Sequence, residues 1–300
     1  MSYYAKRRSD RRISMQVGFI GTGSMGAILI DAFIAAHSLA PDKIIAFNRT
    51  PDKLTNLAAR HPGLRAANSN AEVAEESDVV LLCVKPLEYR QALEELGDAL
   101  TEQKLLVTIT SPVQLVQLED LVPCAVARAV PSITNAARSG LTLVEFGQRI
   151  TDEQRRLVLS LFSRISQPLE VSEGFLRIAS DLSSCGPAFL SYLLQQMIQA
   201  AVDETGISRE SATFLTTQMV LGFADLLRQD VFSLPSLQER VCVPGGITGE
   251  GLIPLREHVP GVFQEVFRRT HAKFAEDRAA MSEHLQLTAT ERSEAARESV

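Results

Sequence analysis

A Gly-x-Gly-x-x-Gly motif near the start of the chain restricts the possible fold more than any other feature. Gly21, Gly23 and Gly26 follow the apolar run Val17–Ile20, and an amphipathic helical pattern begins directly after them. In a strand–turn–helix unit, the first glycine permits a tight turn, the second lets a pyrophosphate approach the backbone, and the third lets the helix pack on the strand. Unpaired N–H groups at the start of that helix also favour a phosphate. The predicted nucleotide-binding residues are Gly21, Thr22, Gly23, Ser24, Met25 and Gly26.

The end of the second predicted strand, Lys43–Phe47, bears on the choice of nucleotide. It leads into Asn48, Arg49 and Thr50, at the point where an NAD-preferring fold usually carries an acidic residue for the ribose hydroxyls. No acid stands there, and Arg49 could form a charge-assisted hydrogen bond to a 2′-phosphate; a solvated surface arginine is the alternative. We therefore expect NADP(H) to be preferred, with NAD(H) possible.

Short strand patterns alternate with helical patterns as far as about residue 173. The continuous apolar run Asp78–Val84 is typical of a central parallel strand covered on both faces. Ligands in such sheets bind beyond the carboxyl ends of the strands, so Val84, Lys85 and Pro86 are candidate cofactor contacts; a solvated lysine at a strand end is the alternative. The alternation predicts an α/β fold with a Rossmann-type, doubly wound parallel sheet.

From Gly174 onward the pattern is helical. Long helices are predicted over Pro187–Glu204, Arg209–Arg228 and roughly Val262–Met281. The first of them is apolar on nearly every face and therefore needs packing partners on nearly every side. A domain of this size has too few helices to supply them, so we expect a homodimer formed through the helical domain, and a larger oligomer is compatible with it.

These patterns divide the chain into four segments. Residues 1–14 form a basic extension that we expect to be disordered, and residues 15–173 form the NAD(P)-binding Rossmann domain. Residues 174–280 form the all-α dimerisation and substrate domain, and residues 281–300 form a polar tail that we expect to be frayed.

Composition excludes several classes of function. The net charge is −6 and the pI is near 5.5, which favours neither nucleic acid nor an anionic membrane. No apolar run approaches the ~20 residues that span a bilayer. The four cysteines are far apart and indicate reduced thiols in a cytoplasmic protein, and the five scattered histidines predict no metal site.

Two segments of the second half have the residue choice of ligand-binding loops. Asp181–Pro187 is predicted to be a loop that leads into the first long helix, and Cys242–Gly251 carries four glycines and a proline. A glycine-rich loop can point backbone N–H groups at a small anion such as a carboxylate, and Thr248 adds a hydroxyl donor. The alternative is an ordinary turn between helices.

Together these residues resemble the Δ1-pyrroline-5-carboxylate reductase family. The resemblance rests on the glycine motif, on Val84-Lys85-Pro86, on Leu182-Ser183 with Gly186-Pro187-Ala188, and on Pro244-Gly245-Gly246 with Thr248. It extends from Met15 to about residue 275. Within the family, the segments 130–135, 183–189 and 248–251 are most similar to the subgroup called late competence protein ComER.

The resemblance implies an NAD(P)H-dependent reduction of pyrroline-5-carboxylate, a cyclic imine, to proline. It implies that Thr248 is the catalytic residue, which bonds the imine nitrogen or the nearby carboxylate. Lys85 and Pro86 would line the nicotinamide side. The implied substrate-binding residues are Ser183, Gly245, Gly246, Thr248 and Gly249. Catalysis of this kind depends chiefly on proximity between cofactor and substrate.

The substrate half departs from the family pattern, whereas the cofactor half does not. Val243 stands where the family usually has serine, and losing one charge-assisted hydrogen bond costs about 1.5–3 kcal/mol. Ser132 replaces an asparagine, Phe189 a tyrosine, and Ser111-Pro112 an Ala-Gly pair. Three interpretations stay open: a weak reductase of pyrroline-5-carboxylate, a reductase of a related imine or carbonyl compound, and a nucleotide-binding regulatory protein without turnover.

The β-hydroxyacid dehydrogenase group shares the first domain and is a further alternative. Its members usually carry a catalytic lysine on the first long helix of the second domain. No lysine stands between Gly186 and Glu204, so this group is disfavoured.

Overall fold

The chain divides into two compact units. The computed structural model describes the backbone of residues 15–298 and the side chains of residues 15–285. One unit contains the chain up to Cys185 and again from His271, and the other contains Gly186–Thr270. The predicted basic extension over residues 1–14 lies outside the described residues.

Strands and helices alternate along the first unit. The strands are β1 (Val17–Ile20), β2 (Ile44–Phe47), β3 (Arg65–Ala66), β4 (Val79–Leu82), β5 (Leu105–Thr108), β6 (Ala125–Val130), β7 (Leu141–Phe146) and β8 (Gln167–Glu170). The helices are α1 (Ser24–Ala35), α2 (Pro51–Arg60), α3 (Asn70–Glu75), α4 (Tyr89–Leu96), α5 (Leu115–Leu121), α6 (Asp152–Phe162) and α7 (Glu173–Ser180).

The eight strands form one sheet in the order β3-β2-β1-β4-β5-β6-β7-β8. The strand order reverses on either side of β1, as it does in a doubly wound nucleotide-binding fold. Strands β1 to β6 are mutually parallel. The predicted Rossmann-type α/β fold is therefore confirmed.

The direction of β7 differs from the fully parallel sheet that the alternation predicts. β7 is antiparallel to β6, and β8 is again parallel to β7. A parallel crossover needs a dozen or more residues and usually a helix, whereas only residues 131–140, with one short 3₁₀ turn, connect β6 to β7. Helix α6 lies between β7 and β8 and provides the crossover there.

Both faces of the sheet are buried, which explains the continuous apolar strand patterns. On one face Phe19 of β1 packs with Phe33 of α1 and Phe162 of α6, and the rings of Phe33 and Phe162 meet edge to face with centroids 5.4 Å apart. On the other face Val80 of β4 packs with Leu93 of α4. Every residue of β1, β4 and β5 is buried. This environment is typical of central parallel strands.

The second unit is helical. Its helices are α8 (Gly186–Thr205), α9 (Arg209–Arg228), α10 (Leu234–Val241), α11 (Ile247–His258) and the first part of α12 (Val262–Glu298). The prediction of a helix over Arg209–Arg228 is confirmed, and the hydroxyl of Ser208 accepts a hydrogen bond of 3.1 Å from the Ser211 N–H at its start.

The segment Asp181–Pro187 was predicted to be a loop, and this prediction is wrong. Asp181–Cys185 forms a wide π-helical turn between α7 and α8, and Pro187 already lies in α8. A proline within a helix has no N–H to donate, and its ring clashes with the carbonyl four residues earlier. A locally widened turn accommodates both effects, and such turns often occur at functional sites.

The predicted loop Cys242–Gly251 is only partly a loop. Gly246 is the residue before α11, so Ile247, Thr248 and the glycines after them belong to the first turns of that helix. Glycine has a low helix propensity, which is why the composition predicts a loop throughout. Tertiary context commonly overrides propensity, and here it places Thr248 at a helix N-terminus.

The predicted polar tail is helical in the structure. Helix α12 continues to Glu298, and the side chains of Met281 and Leu285 are buried against the core that includes Leu118 of α5. The side chain of Gln117 also donates a hydrogen bond of 2.7 Å to the hydroxyl of Ser282. Met281 and Leu285 are four positions apart and therefore lie on one helix face. The polar residues around them make this short apolar pattern hard to recognise in the sequence.

Candidate functional site

The turn between β1 and α1 depends on two of its glycines for its own geometry. Gly21 has a φ of +93°, which L-residues rarely adopt, and its N–H donates to the Phe47 carbonyl at 2.9 Å. A Cβ atom on Gly26 would lie 2.2 Å from the carbonyl oxygen of Gly21. Larger side chains are therefore excluded at both positions by the chain itself.

Gly23 is different, because nothing in the chain requires a glycine there. Its φ is −67°, and a Cβ atom at this position would meet no described atom within 4 Å. The bare backbone faces open space at the N-terminus of α1, where the first N–H groups have no intrahelical partner. A diphosphate could approach this backbone closely, so the residues present fit a dinucleotide.

Asn48 ties the glycine turn to the end of β2. Its side-chain oxygen accepts a hydrogen bond of 3.0 Å from the Thr22 N–H, and its amide nitrogen donates to the Thr50 carbonyl at 3.0 Å. Thr22 is buried, and its hydroxyl oxygen has no hydrogen-bond partner among the described residues. The sequence analysis assigned Asn48 and Thr50 to the cofactor, and the structure shows that Asn48 also orders the turn.

An open cleft of about 210 Å³ lies at the carboxyl ends of β1, β2 and β4. Seven of the predicted cofactor-binding residues line it: Gly21, Gly23, Asn48, Arg49, Thr50, Val84 and Lys85. The other five, which are Thr22, Ser24, Met25, Gly26 and Pro86, do not line this cleft in the described part of the chain. The glycine turn and the Lys85 segment, about 60 positions apart, are thus brought to one sheet edge.

Arg49 lines the cleft and is held there by Glu88 and Gln91. Its guanidinium forms an ion pair with the Glu88 carboxylate and donates a hydrogen bond of 3.2 Å to the side-chain oxygen of Gln91. The other Glu88 carboxylate oxygen accepts a hydrogen bond of 3.3 Å from the Lys85 N–H. The side chains of Arg49 and Glu88 are 56% and 33% exposed, so both are within reach of a ligand.

Several residues of the cleft were not predicted from the sequence. Lys53, Asn70, Glu88, Gln91 and Glu95 all line it. The Asn70 amide donates a hydrogen bond of 2.6 Å to Glu95, while its carbonyl oxygen is buried without a partner among the described residues. One signal in the sequence was available, because Lys85-Pro86 followed by Glu88 has the spacing of a helix-capping pair.

One cysteine, Cys83, lines the cleft. Cys83 directly follows β4, and burial raises the pKa of the Cys83 thiol well above its ordinary value. A thiol held neutral in this way is a poor nucleophile and a poor metal ligand. All four cysteines are free, and no cluster of metal-ligating side chains occurs in the part of the chain that the structure describes.

The glycine-rich segment of the second unit forms a tight turn before α11. Gly245 has a φ of +74°, and the Gly246 N–H donates to the Val243 carbonyl at 2.9 Å. A Cβ atom on Gly246 would lie 2.8 Å from the Val243 side chain, whereas one on Gly249 would meet nothing within 4 Å. The N–H groups around Thr248 therefore lie at a helix N-terminus, which favours an anionic group.

Family models match both halves of the chain. One described as "Pyrroline-5-carboxylate reductase dimerisation" matches residues 173–277, and one described as "NADP oxidoreductase coenzyme F420-dependent" matches residues 16–112. The chain is 42% identical over 267 residues to ComE operon protein 4 of Bacillus subtilis, covering 89% of this chain and 98% of that protein. It is 32% identical over 246 residues to pyrroline-5-carboxylate reductase of Methanosarcina acetivorans, covering 81% and 90%.

The chain belongs to the pyrroline-5-carboxylate reductase family. The family predicted from the sequence, including the similarity to the ComER subgroup, is confirmed. The fold agrees: pyrroline carboxylate reductase of Plasmodium falciparum, solved with NADP bound, superimposes with a TM-score of 0.77 at 22% identity, covering 90% of this chain and 99% of that one. This member of the reductase family accordingly carries the family's dimerisation domain.

In this reductase-family chain, Ser183 lies in the π-helical turn. Its hydroxyl donates a hydrogen bond of 2.7 Å to the Ala179 carbonyl, and its own carbonyl accepts one of 2.9 Å from the hydroxyl of Ser132. Beside it, the guanidinium of Arg177 donates to Asp181 at 2.9 Å and to the Cys185 sulfur at 3.3 Å. The turn is thus held by side chains on both sides.

Among the helices that the structure describes, none is both long and apolar enough to cross a membrane. The prediction of a cytoplasmic protein goes beyond this finding and stays a prediction.

Proposed function

We propose that this chain is a reductase that uses NADPH to convert pyrroline-5-carboxylate to proline. The observation that carries the proposal is the open space in front of Gly23, which the chain leaves unused although Gly21 and Gly26 are sterically required. Family membership supports the reaction type, since relatives at 30% identity or more are named pyrroline-5-carboxylate reductases. NADP bound in the Plasmodium falciparum structure supports the nucleotide.

The nucleotide would be held at both ends of the cleft. The backbone of Gly21–Gly26 would bind its diphosphate, Asn48, Arg49 and Thr50 its adenosine half, and Val84, Lys85 and Pro86 would line the nicotinamide side. When bound, the reduced nicotinamide supplies a hydride. We expect NADP(H) to be preferred because Arg49 stands where an acidic residue would repel a 2′-phosphate, and NAD(H) stays possible.

The turn before α11 would bind the substrate. The backbone of the Gly245–Gly249 segment would hold the substrate carboxylate, and Thr248 would donate a hydrogen bond from its hydroxyl to the imine nitrogen or to that carboxylate. Ser183 of the π-helical turn is the other substrate-binding residue that the family resemblance implies. These groups orient the imine carbon and exclude water, and positioning of this kind can lower a barrier by about 7–11 kcal/mol.

The second unit is proposed to form a homodimer, and the described chain alone leaves large apolar side chains of α8 and α9 exposed. Tyr192 is 62% exposed and Phe214 is 62% exposed, and Leu190, Met197, Leu215 and Met219 are also open to solvent. Many exposed apolar side chains on two neighbouring helices are typical of a subunit interface. The dimerisation family model over residues 173–277 supports the same assembly.

A regulatory protein that binds the nucleotide without turnover is the second candidate. Val243 stands before the Pro-Gly-Gly turn, and its side chain is 60% exposed where the resemblance leads us to expect a serine hydroxyl. The name of the 42% identical relative, ComE operon protein 4, states no reaction. This candidate predicts NADPH binding with no consumption of any imine.

The deciding experiment measures NADPH binding and NADPH oxidation separately. We expect tight binding, and oxidation with pyrroline-5-carboxylate that is lost in Thr248→Ala and retained in Thr55→Ala, an exposed threonine on α2. A panel of other cyclic imines tests the related substrates. Binding without oxidation of any of them would favour the regulatory candidate, and no binding of either nucleotide would contradict both.

A further inference from the structure

The ion pair between Arg49 and Glu88 lies where the two candidate nucleotides differ. Arg49 follows β2, at the position that contacts the 2′ substituent of the adenosine ribose in this fold class. Glu88 comes from the turn before α4, 39 positions along the chain, and it accepts a hydrogen bond from the Arg49 guanidinium. The guanidinium that we expect to distinguish NADPH from NADH thus already has a carboxylate partner.

The carboxylate and a 2′-phosphate would compete for the same guanidinium. The planar carboxylate and the pyramidal phosphate each accept two hydrogen bonds from an arginine. A phosphate monoester carries a charge of about −1.5 to −2 at pH 7. Three cations, Arg49, Lys53 and Lys85, and two carboxylates, Glu88 and Glu95, line the cleft. Glu88 therefore also places a negative charge beside the phosphate that Arg49 would bind.

Glu88 cannot simply leave the cleft when Arg49 is released. Its second carboxylate oxygen accepts a hydrogen bond of 3.3 Å from the Lys85 N–H, which anchors it at the start of the 3₁₀ turn. Gln91, the other partner of Arg49, is neutral and is held by a hydrogen bond of 2.8 Å that it donates to Glu95. The Glu88 carboxylate, whose negative charge opposes a 2′-phosphate, is thus fixed in the 3₁₀ turn Pro86–Glu88.

We propose that Glu88 is a specificity-determining residue that limits the preference for NADPH over NADH. It pairs with Arg49 when the nucleotide has a 2′-hydroxyl, and NADPH binds only by taking the guanidinium from it. This inference rests on the proposed nucleotide site but not on the proposed substrate. It adds to the sequence analysis, which considered Arg49 alone.

The test is a titration of the full chain with NADPH and with NADH, followed by nucleotide fluorescence and without any imine. Glu88→Gln keeps an oxygen for the Lys85 N–H and removes the charge. We expect this variant to bind NADPH about fivefold or more tightly than the wild type, since exposed ion pairs contribute up to about a factor of five and the repulsion is also relieved. The affinity of Glu88→Gln for NADH should differ from that of the wild type by less than about twofold, because NADH has no 2′-phosphate.

Two further variants make the test specific. Glu94→Gln also removes one negative charge, but Glu94 lies in α4, pairs with Arg90 and does not line the cleft, so this variant should bind both nucleotides as tightly as the wild type. Arg49→Gln should weaken NADPH binding, and adding Glu88→Gln to it should give a smaller gain than in the wild type, because the competition has gone.

Tighter binding of NADPH alone in Glu88→Gln supports the proposal. Unchanged NADPH affinity, or an equal gain for both nucleotides, would overturn it while leaving the proposed reductase intact. A wild-type chain that binds neither nucleotide would overturn the proposed function and this inference together.

Discussion

The hydroxyl of Ser132 donates a hydrogen bond of 2.9 Å to the backbone carbonyl of Ser183, 51 positions further along the chain. The hydroxyl of Ser184 donates back to the Pro131 carbonyl at 3.1 Å. The segment after β6 and the π-helical turn are therefore cross-linked by two short side chains. Ser132 is buried, and Ser183 is partly buried.

Replacing Ser132 with alanine should destabilise the first unit by about 1 kcal/mol, because the Ser183 carbonyl loses this hydrogen bond. Denaturant unfolding of the two chains measures this difference. Ser139→Ala is the control, since Ser139 is exposed and its change should stay within about 0.5 kcal/mol. Equal stability of Ser132→Ala and the wild type would mean that the cross-link does not hold the π-helical turn.

The glycine turn allows fold and binding to be separated by a matched pair of substitutions. Gly26→Ala places a methyl group 2.2 Å from the Gly21 carbonyl and should destabilise the chain by about 1–3 kcal/mol or more. Gly23→Ala meets no atom of the chain and should cost at most about 1 kcal/mol, as the loss of a helix-capping glycine. The same variant should bind NADPH about tenfold more weakly, because the methyl group fills the approach to the backbone.

Thermal unfolding and nucleotide titration of both glycine variants check these outcomes. A Gly23→Ala chain that binds NADPH as tightly as the wild type would show that the diphosphate does not approach this backbone.

Val243 provides a prediction about turnover. Val243→Ser restores the hydroxyl that the resemblance places before the Pro-Gly-Gly turn, and a hydrogen bond to a charged group contributes about 1.5–3 kcal/mol. We therefore expect kcat/KM for pyrroline-5-carboxylate to rise by about 10- to 100-fold. Val241→Ser, at an exposed position two residues earlier, should leave kcat/KM unchanged. No gain from Val243→Ser would mean that the substrate carboxylate is not bound at this position.

Tyr89 gives the chain a dependence of stability on alkaline pH. Its phenol is fully buried, shares a hydrogen bond of 2.5 Å with the Thr108 hydroxyl and accepts one of 3.0 Å from Thr110. Burial raises the pKa of Tyr89 to about 12 from 10.0. The unfolded chain therefore releases this proton first, and stability that is complete below pH 10 is lost as the pH rises to about 12.

The loss from this one phenol is about 2–3 kcal/mol over that interval. Tyr89→Phe should be less stable than the wild type at pH 8, because Thr108 and Thr110 lose a partner. Its free energy of unfolding should, however, fall less between pH 10 and pH 12. Parallel curves for the two chains would exclude Tyr89 as the titrating group.

Local patterns predicted the first half of the fold well. The spacing of Gly21, Gly23 and Gly26 after an apolar run is enough to define a strand, a turn and a helix, because this spacing is a short-range pattern within ten residues of chain. The apolar run before Lys85 likewise defines a buried central strand. The direction of β7 could be inferred only from the length of its connection to β6, which the alternation of strands and helices does not reveal.

The residues of the candidate site were only partly predictable, for a physical reason. Arg49 could be assigned from its position after β2, but its partner Glu88 is 39 positions away and meets it only when α4 packs beside the sheet. Thr248 was expected in a loop, since glycine disfavours helices, and packing placed it in α11 instead. The buried residues Met281 and Leu285 were hidden in a polar segment.

The order of the elements, the Rossmann fold and the family follow from the sequence alone, because they depend on short-range spacing and on which residue types occur at each turn. The three-dimensional packing determines which polar groups meet: the Glu88 carboxylate with the Arg49 guanidinium, and the Ser132 hydroxyl with the Ser183 carbonyl. Such pairs depend on the packing of elements distant in the chain, and no local pattern encodes a distance between two of them.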